Sequence, residues 1–150
     1  MKKLFGYICL AAITLTGCQQ KMTVSSPDNV LAVSFRLGAD GAPEYKVARK
    51  GAPMLDWSAL GLVLADKDLS RDFTLLGTDT DSFDETWETV WGEERYIRNH
   101  YCELTAHLLH QSGTEMDVVF RVFDDGFAFR YVFPSNADSM IVMDEKTEYQ

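Results

Sequence analysis

Apolar and polar residues alternate along most of this chain with the period of a strand. Leu31, Val33, Phe35 and Leu37 fall on one face and Ala32, Ser34 and Arg36 on the other, which predicts a half-buried β-strand. Gly38-Ala39-Asp40-Gly41 then turns the chain, and Glu44 to Arg49 returns with Tyr45 and Val47 on a common face. The two runs predict a hairpin. Shorter runs at Leu60 to Leu64 and Phe73 to Leu76 are separated by a charged loop, Asp66 to Asp72. Thr86 to Trp91 and the longer Tyr96 to Leu109 follow.

Met116 to Phe123 and Phe127 to Phe133 flank Asp124-Asp125-Gly126, a turn signal expected to place positive φ at the glycine. Ile141 to Val142 and Thr147 to Gln150 predict further strands. About eight to ten short strands result, with no helical spacing sustained past the leader and no internal repeat. An antiparallel all-β sandwich is the predicted architecture. Lys146 to Gln150 reads as the opening of a strand that would leave a sheet edge unpaired. The sandwich is therefore expected to be incomplete at its C-terminal end.

Residues 1–18 have the layout of a lipoprotein signal peptide. Lys2 and Lys3 precede an apolar run from Leu4 to Leu15, which is shorter than the about 20 residues that span a bilayer. Leu15-Thr16-Gly17-Cys18 matches a lipobox, with Cys18 as the lipid attachment site. Two or more acyl chains there would make the anchor stable. Gln19 is not the Asp of inner-membrane retention, and no acidic export signal follows it. An outer-membrane lipoprotein facing the periplasm is expected, with residues 19–28 as a polar tether and the folded domain over 29–150.

The chain has 150 residues, which allows one domain after the leader. Its 14 Lys and Arg stand against 23 Asp and Glu, a net charge of −9. That balance repels phosphate backbones and excludes nucleic acid as a partner. Of 3 Cys, Cys9 lies in the leader, Cys18 is the lipid site, and Cys102 reads as a small buried hydrophobe. No intramolecular disulfide or Cys-rich metal site is expected after processing.

The stretch Asp84 to Leu104 reads DETWETVWGEERYIRNHYCEL, dense in flat rings and hydrogen-bonding heads. Rings cover apolar sugar faces, while amides and carboxylates bond hydroxyls. Trp87 and Trp91, four apart, would share a strand face and form a stacking platform, or else fill the core. Asn99, Tyr101 and Glu103 share one face and could line a polar cleft, dock onto a neighbouring domain or form an internal hydrogen-bond network. These five are the carbohydrate-binding candidates. No catalytic residue and no metal ligand is assigned. Neighbouring pairs such as Glu93-Glu94 point apart in an extended chain and do not face one another as glycoside hydrolysis requires. His100, His107 and His110 lack ligand spacing.

SPDNVLAVSFRL, GLVLAD with Gly61, the ETWETVWGEERYIRNHYCEL block and RVFDDGFAFRYVFP together resemble the amino-terminal domain of glycoside hydrolase family 97, from about Ser26 to Gln150. The family holds α-glucosidases and α-galactosidases, mainly of Bacteroidetes. The resemblance implies a supersandwich-like, galactose-mutarotase-like fold that packs beside a (β/α)₈ barrel. That barrel would carry the catalytic carboxylates, and activity would depend on bound calcium. No barrel position lies in this sequence, so no cofactor is expected in this chain itself. Thr89 and Cys102 depart from the family words, which place Pro and Asn there.

The expected role is thus a non-catalytic domain of an exo-acting α-glycosidase that supports the barrel and shapes its sugar pocket. Its partners would be carbohydrate and the catalytic barrel, with the membrane reached only through the lipid. A stand-alone carbohydrate-binding lipoprotein and a degenerate truncated product are the alternatives.

Overall fold

A computed structural model describes residues 22–135 and 139–150. The leader, the lipobox and Cys18 lie outside the described residues. Eleven strands follow in order: β1 (Thr23–Ser25), β2 (Leu31–Leu37), β3 (Pro43–Arg49), β4 (Ala52–Ala59), β5 (Leu62–Leu64), β6 (Asp68–Leu69), β7 (Phe73–Glu88), β8 (Tyr96–His110), β9 (Glu115–Val122), β10 (Phe127–Val132) and β11 (Val142–Glu145). They form three sheets, ordered β1-β2-β3-β4, β10-β9-β8-β7 and β11-β5-β6. Every described strand pairing is antiparallel.

The two larger sheets face each other as a β-sandwich, and their inward residues are those the alternation marks. Val33 and Phe35 sit opposite Val47 and Tyr45 in register. Leu104, Ala106 and Leu108 of β8 and Met116, Val118 and Phe120 of β9 supply the facing layer. Phe120 is fully buried at the centre, its ring 6.1 Å from each of Phe35, Tyr45 and Phe129. Such tilted rings add to the burial of large apolar area. Tyr45 keeps its hydroxyl satisfied by donating to the Glu148 carbonyl at 3.0 Å, as a buried phenol must.

Several expectations need correction. The tether does not reach Asp28 as loose chain, because Thr23–Ser25 pairs with β2 as an edge strand. Ser26 is buried, and its Oγ accepts from the backbone N–H of Val30 and of Leu31. The Asp124-Asp125-Gly126 turn forms, with the Phe123 amide donating to the Gly126 carbonyl at 2.8 Å. Gly126 is not among the positive-φ residues, however. The two aspartates take the corner instead, and the glycine falls on its return side.

Phe73 to Leu76 and Thr86 to Trp91 are not two strands. The first opens and the second largely closes the single strand β7, which ends at Glu88. The polar stretch between them hides this continuity, since most of it lies beyond the core and is exposed. β4 was not anticipated either, because its exposed first half carries no alternation. Lys146 to Gln150 forms no regular ladder. It bonds to the neighbouring edge at intervals, through Lys146 N to Gly61 O, Glu148 N to Ala59 O and Asp56 N to Gln150 O.

Candidate functional site

Strands β7 and β8 are far longer than their neighbours. Their register runs unbroken from Gly77 opposite His107 to Glu88 opposite Tyr96, whereas β9 pairs with β8 only from Cys102 to Leu109. Residues 82–88 and 96–101 therefore form a two-stranded ribbon standing clear of the sandwich. It is closed by a loop of residues 89–95.

One face of the ribbon brings together four of the five candidates. Trp87 lies opposite Ile97, Glu85 opposite Asn99, Phe83 opposite Tyr101 and Asp81 opposite Glu103. Trp91 is not on that face. It sits in the loop and is 89% exposed, so the shared strand face expected of Trp87 and Trp91 does not exist. Neither tryptophan is core material, since Trp87 is itself about half exposed.

Tyr101 and Glu103 are engaged within the fold. Tyr101 is buried and stacked on Phe83 at 5.3 Å, with Phe123 at the same distance on another side. The Arg121 guanidinium lies 4.5 Å over the Tyr101 ring and donates through Nε to Glu103 at 2.7 Å. This cation–π and ion-pair cluster roots the ribbon on the sandwich. The internal network thus describes these two residues, while Trp87 and Asn99 remain on the accessible part of the face.

The opposite face is polar at its base. Arg98 forms two hydrogen bonds to Asp84, both 2.7 Å. They hold the Asp84 carboxyl below its ordinary range. His100 lies beside this pair, its Nε2 4.0 Å from the Asp84 carboxylate. Cys102, half buried, packs against the core as a small hydrophobe.

The closing loop is tied by its own atoms. The Thr89 amide donates to the Arg95 carbonyl at 2.9 Å, and its hydroxyl donates to the Glu94 carbonyl at 2.7 Å. A proline at this place, as in the family word, could do neither. Arg95 reaches back to Glu88 at 2.8 Å, and Gly92 takes φ 148°. The exposed rings and aliphatics Phe83, Val90, Tyr96 and Ile97 were not singled out from sequence. The alternation of Phe83, Glu85 and Trp87 was the available signal.

A second cluster lies farther along the same sheet face. His107 is held between Asp117, at 2.8 Å from Nδ1, and Asp79, at 3.1 Å from Nε2. The hydrogen bond with Asp117 chiefly, aided by Asp79, raises the imidazole above its ordinary value against the opposing effect of burial. Only cross-strand register makes this contact. Among the described residues, no group of three or more His, Cys, Asp or Glu side chains could hold a metal ion.

The family model described as Glycosyl-hydrolase 97 N-terminal matches residues 24–150. A probable retaining α-galactosidase of Streptomyces bingchenggensis strain BCW-1 is 33% identical over 122 residues, covering 79% of this chain and 19% of that protein. The retaining α-galactosidase of Bacteroides thetaiotaomicron is 28% identical over 134 residues, covering 88% of this chain and 19% of its own length. A glycoside hydrolase family 97 enzyme of Pseudoalteromonas sp. strain K8, solved in complex with panose, superposes with a TM-score of 0.78 at 26% identity, over 85% of this chain and 20% of that one. A β-arabinopyranosidase crystal structure gives a TM-score of 0.77 at 30% identity, over 85% and 21% of the two chains. The chain thus spans about a fifth of the length of these relatives. With its family model, its sandwich and its sequence blocks in agreement, this chain belongs to the amino-terminal domain family of glycoside hydrolase 97.

Proposed function

We propose that this chain serves as the non-catalytic amino-terminal domain of an exo-acting α-glycosidase of the α-glucosidase or α-galactosidase type. In that enzyme the sandwich braces a catalytic barrel and the ribbon side helps wall the sugar pocket. The observation that carries the reading is coverage. Two relatives named as α-galactosidases, one of them probable, are matched over only 19% of their lengths, so the chemistry is assigned to the part beyond the match. Structures of the family solved with panose and with acarbose support a sugar oligomer as the substrate class. A lipid on Cys18 would hold the enzyme at the outer membrane, facing the periplasm.

The test is the mass of the native product, read by immunoblot of the source cells with antibody to this domain. A band several times larger than 17.0 kDa that cleaves aryl α-glucosides or α-galactosides with calcium present is expected. A single band at the mass of the chain alone would overturn the reading. So would turnover by residues 22–150 in isolation.

Trp87 beside Asn99 on an accessible face supports a second reading, direct carbohydrate binding by this domain. Trp87→Ala should then abolish retention on a glycan column while circular dichroism stays unchanged. Retention equal to that of the unmodified domain would sink it.

A further inference from the structure

We propose that the outer face of the β1-β2-β3-β4 sheet lies against an anionic phospholipid surface, so that one chosen side of the sandwich meets the membrane. Cys18 must carry the lipid for this to hold, as read above. Three residues, Gln19 to Lys21, separate Cys18 from Met22. At no more than about 3.6 Å per residue, the acylated cysteine lies within about 14 Å of Met22. Met22 already belongs to the fold, since its carbonyl accepts from the Phe35 amide at 2.8 Å. β1 follows it as an edge strand of that sheet. A domain held so close to a bilayer must turn one side towards the headgroups.

Charge decides which side that is. Cross-strand register gathers Asp79, Asp81, Glu103, Glu115 and Asp117 on the outer face of the β10-β9-β8-β7 sheet. Arg121, Arg130 and His107 are the basic groups there, so carboxylates outnumber them. The loop end beside Met22 is acidic as well. Asp40 and Asp72 are exposed there, the Asp72 amide donating to the Asp40 carbonyl at 2.9 Å. On the outer face of the β1-β2-β3-β4 sheet, by contrast, Arg36 and Lys46 balance Glu44 and, at the β4 bulge, Asp56. An anionic surface repels the two acidic sides, while the anchor prevents retreat. The sandwich therefore turns its least acidic face inward.

The same face carries groups suited to a headgroup layer. The half-buried Trp57 ring has the Arg36 guanidinium 3.9 Å from its centroid and the Lys46 ammonium 4.9 Å away. Arg36 is also held by Glu44, Nε to Oε2 2.6 Å. Lys46 forms no ion pair among the described residues, which leaves its ammonium available to a phosphate oxygen. Amphipathic rings and long cationic side chains favour the boundary between water and acyl chains. Ala32, Ser34 and Ala48 beside them are small and let the sheet approach the surface closely.

The test encodes the fluorophore acridonylalanine at position 48 or at position 105 of the native lipidated polypeptide. Position 48 lies on the proposed face but at the strand end away from Met22, so the tether alone does not bring it to the bilayer. Position 105 lies on the outer face of the other sheet. The protein is floated with vesicles of phosphatidylethanolamine and phosphatidylglycerol that contain a headgroup-nitroxide lipid. Since packed sheets stand about 10 Å apart, quenching should be about fivefold stronger at 48 than at 105. Lys46→Glu should lower the quenching at 48 about twofold with flotation unchanged, and replacing phosphatidylglycerol by phosphatidylcholine should narrow the difference. Floating protein quenched equally at both positions, or more at 105, would overturn the proposed face. So would a difference indifferent to both changes. Protein that does not float with the vesicles fails the lipid-anchor reading first, and the face falls with it.

Discussion

Arg98 grips Asp84 through two parallel hydrogen bonds, Nε to Oδ1 and Nη2 to Oδ2, each 2.7 Å. The two residues sit diagonally across the ribbon, since Asp84 is opposite His100 and Arg98 opposite Thr86. A bidentate pair adds directional restraint that a single charge contact lacks, and here it spans the part of the ribbon that no third strand supports.

Because the Arg98 hydrogen bonds lower the Asp84 carboxyl below its ordinary 3.8, the pair's contribution is present above that value. It is lost as pH falls through the lower folded value. Amide protection factors over residues 84–98, taken against the intrinsic exchange rate at each pH, should therefore fall between about pH 5 and about pH 3, before the core opens. Arg98→Gln should show low protection already at the upper pH, with no further fall on acidification. The same acid response in that variant would remove the pair as its cause.

The clasp at His107 has the opposite sign. With the imidazole raised above its usual 6.5 by Asp117 and Asp79, its stabilising contribution is complete below 6.5. It disappears as pH rises through the folded value. The side chain is 34% exposed, so solvent screening keeps the effect on the order of 0.5 kcal/mol. The urea midpoint should fall between about pH 6 and about pH 8.5 in the unmodified domain, and less so in His107→Gln. By NMR, Asp117→Asn should lower the His107 titration midpoint; an unmoved midpoint would exclude Asp117 as the main partner.

Two glycines should respond differently to alanine. A Cβ on Gly61 would stand 2.6 Å from the Ser70 Cα and 2.8 Å from its Cβ, a backbone contact that cannot rotate away. Gly61→Ala should cost about 1–3 kcal/mol. Gly126 has open space around it and no positive φ. Gly126→Ala should be neutral, or stabilise by about 0.4–1 kcal/mol through the unfolded chain. Chemical denaturation of both variants decides the matter, and a large loss at Gly126 would restore the turn geometry expected from sequence.

Phe120 is the packing centre of the sandwich, and truncation to alanine should cost about 3–5 kcal/mol. That is a large part of the stability of a domain this size. A urea midpoint close to that of the unmodified protein would mean the two sheets do not share a core there.

The hairpin of β2 and β3 was legible almost to the residue, because Val33, Phe35, Tyr45 and Val47 alternate without interruption and face a single core. The ribbon was legible only in part. Its aromatic density stood out, yet Trp91 was placed on a strand it does not join, since a four-residue spacing says nothing about where a strand ends. Phe83 escaped notice because it lies among polar residues, and polar residues are what a ribbon beyond the core requires on its exposed surface. The ties of Tyr101 and Glu103 to Arg121 and Phe123 depend on strands distant in sequence, which no local pattern reveals.

By itself the sequence determined the all-β class, the inward residues of the central strands and the family blocks. Each of these follows from composition or from side chains whose period of two is a local property of extended chain. Tertiary structure alone decided that β7 and β8 outrun their neighbours, that Trp91 stands at a loop tip, and that His107 meets two carboxylates. Those outcomes rest on cross-strand register and on where the opposing sheet stops. Register and sheet extent arise from the packing of residues far apart in the chain, and no short stretch of sequence carries them.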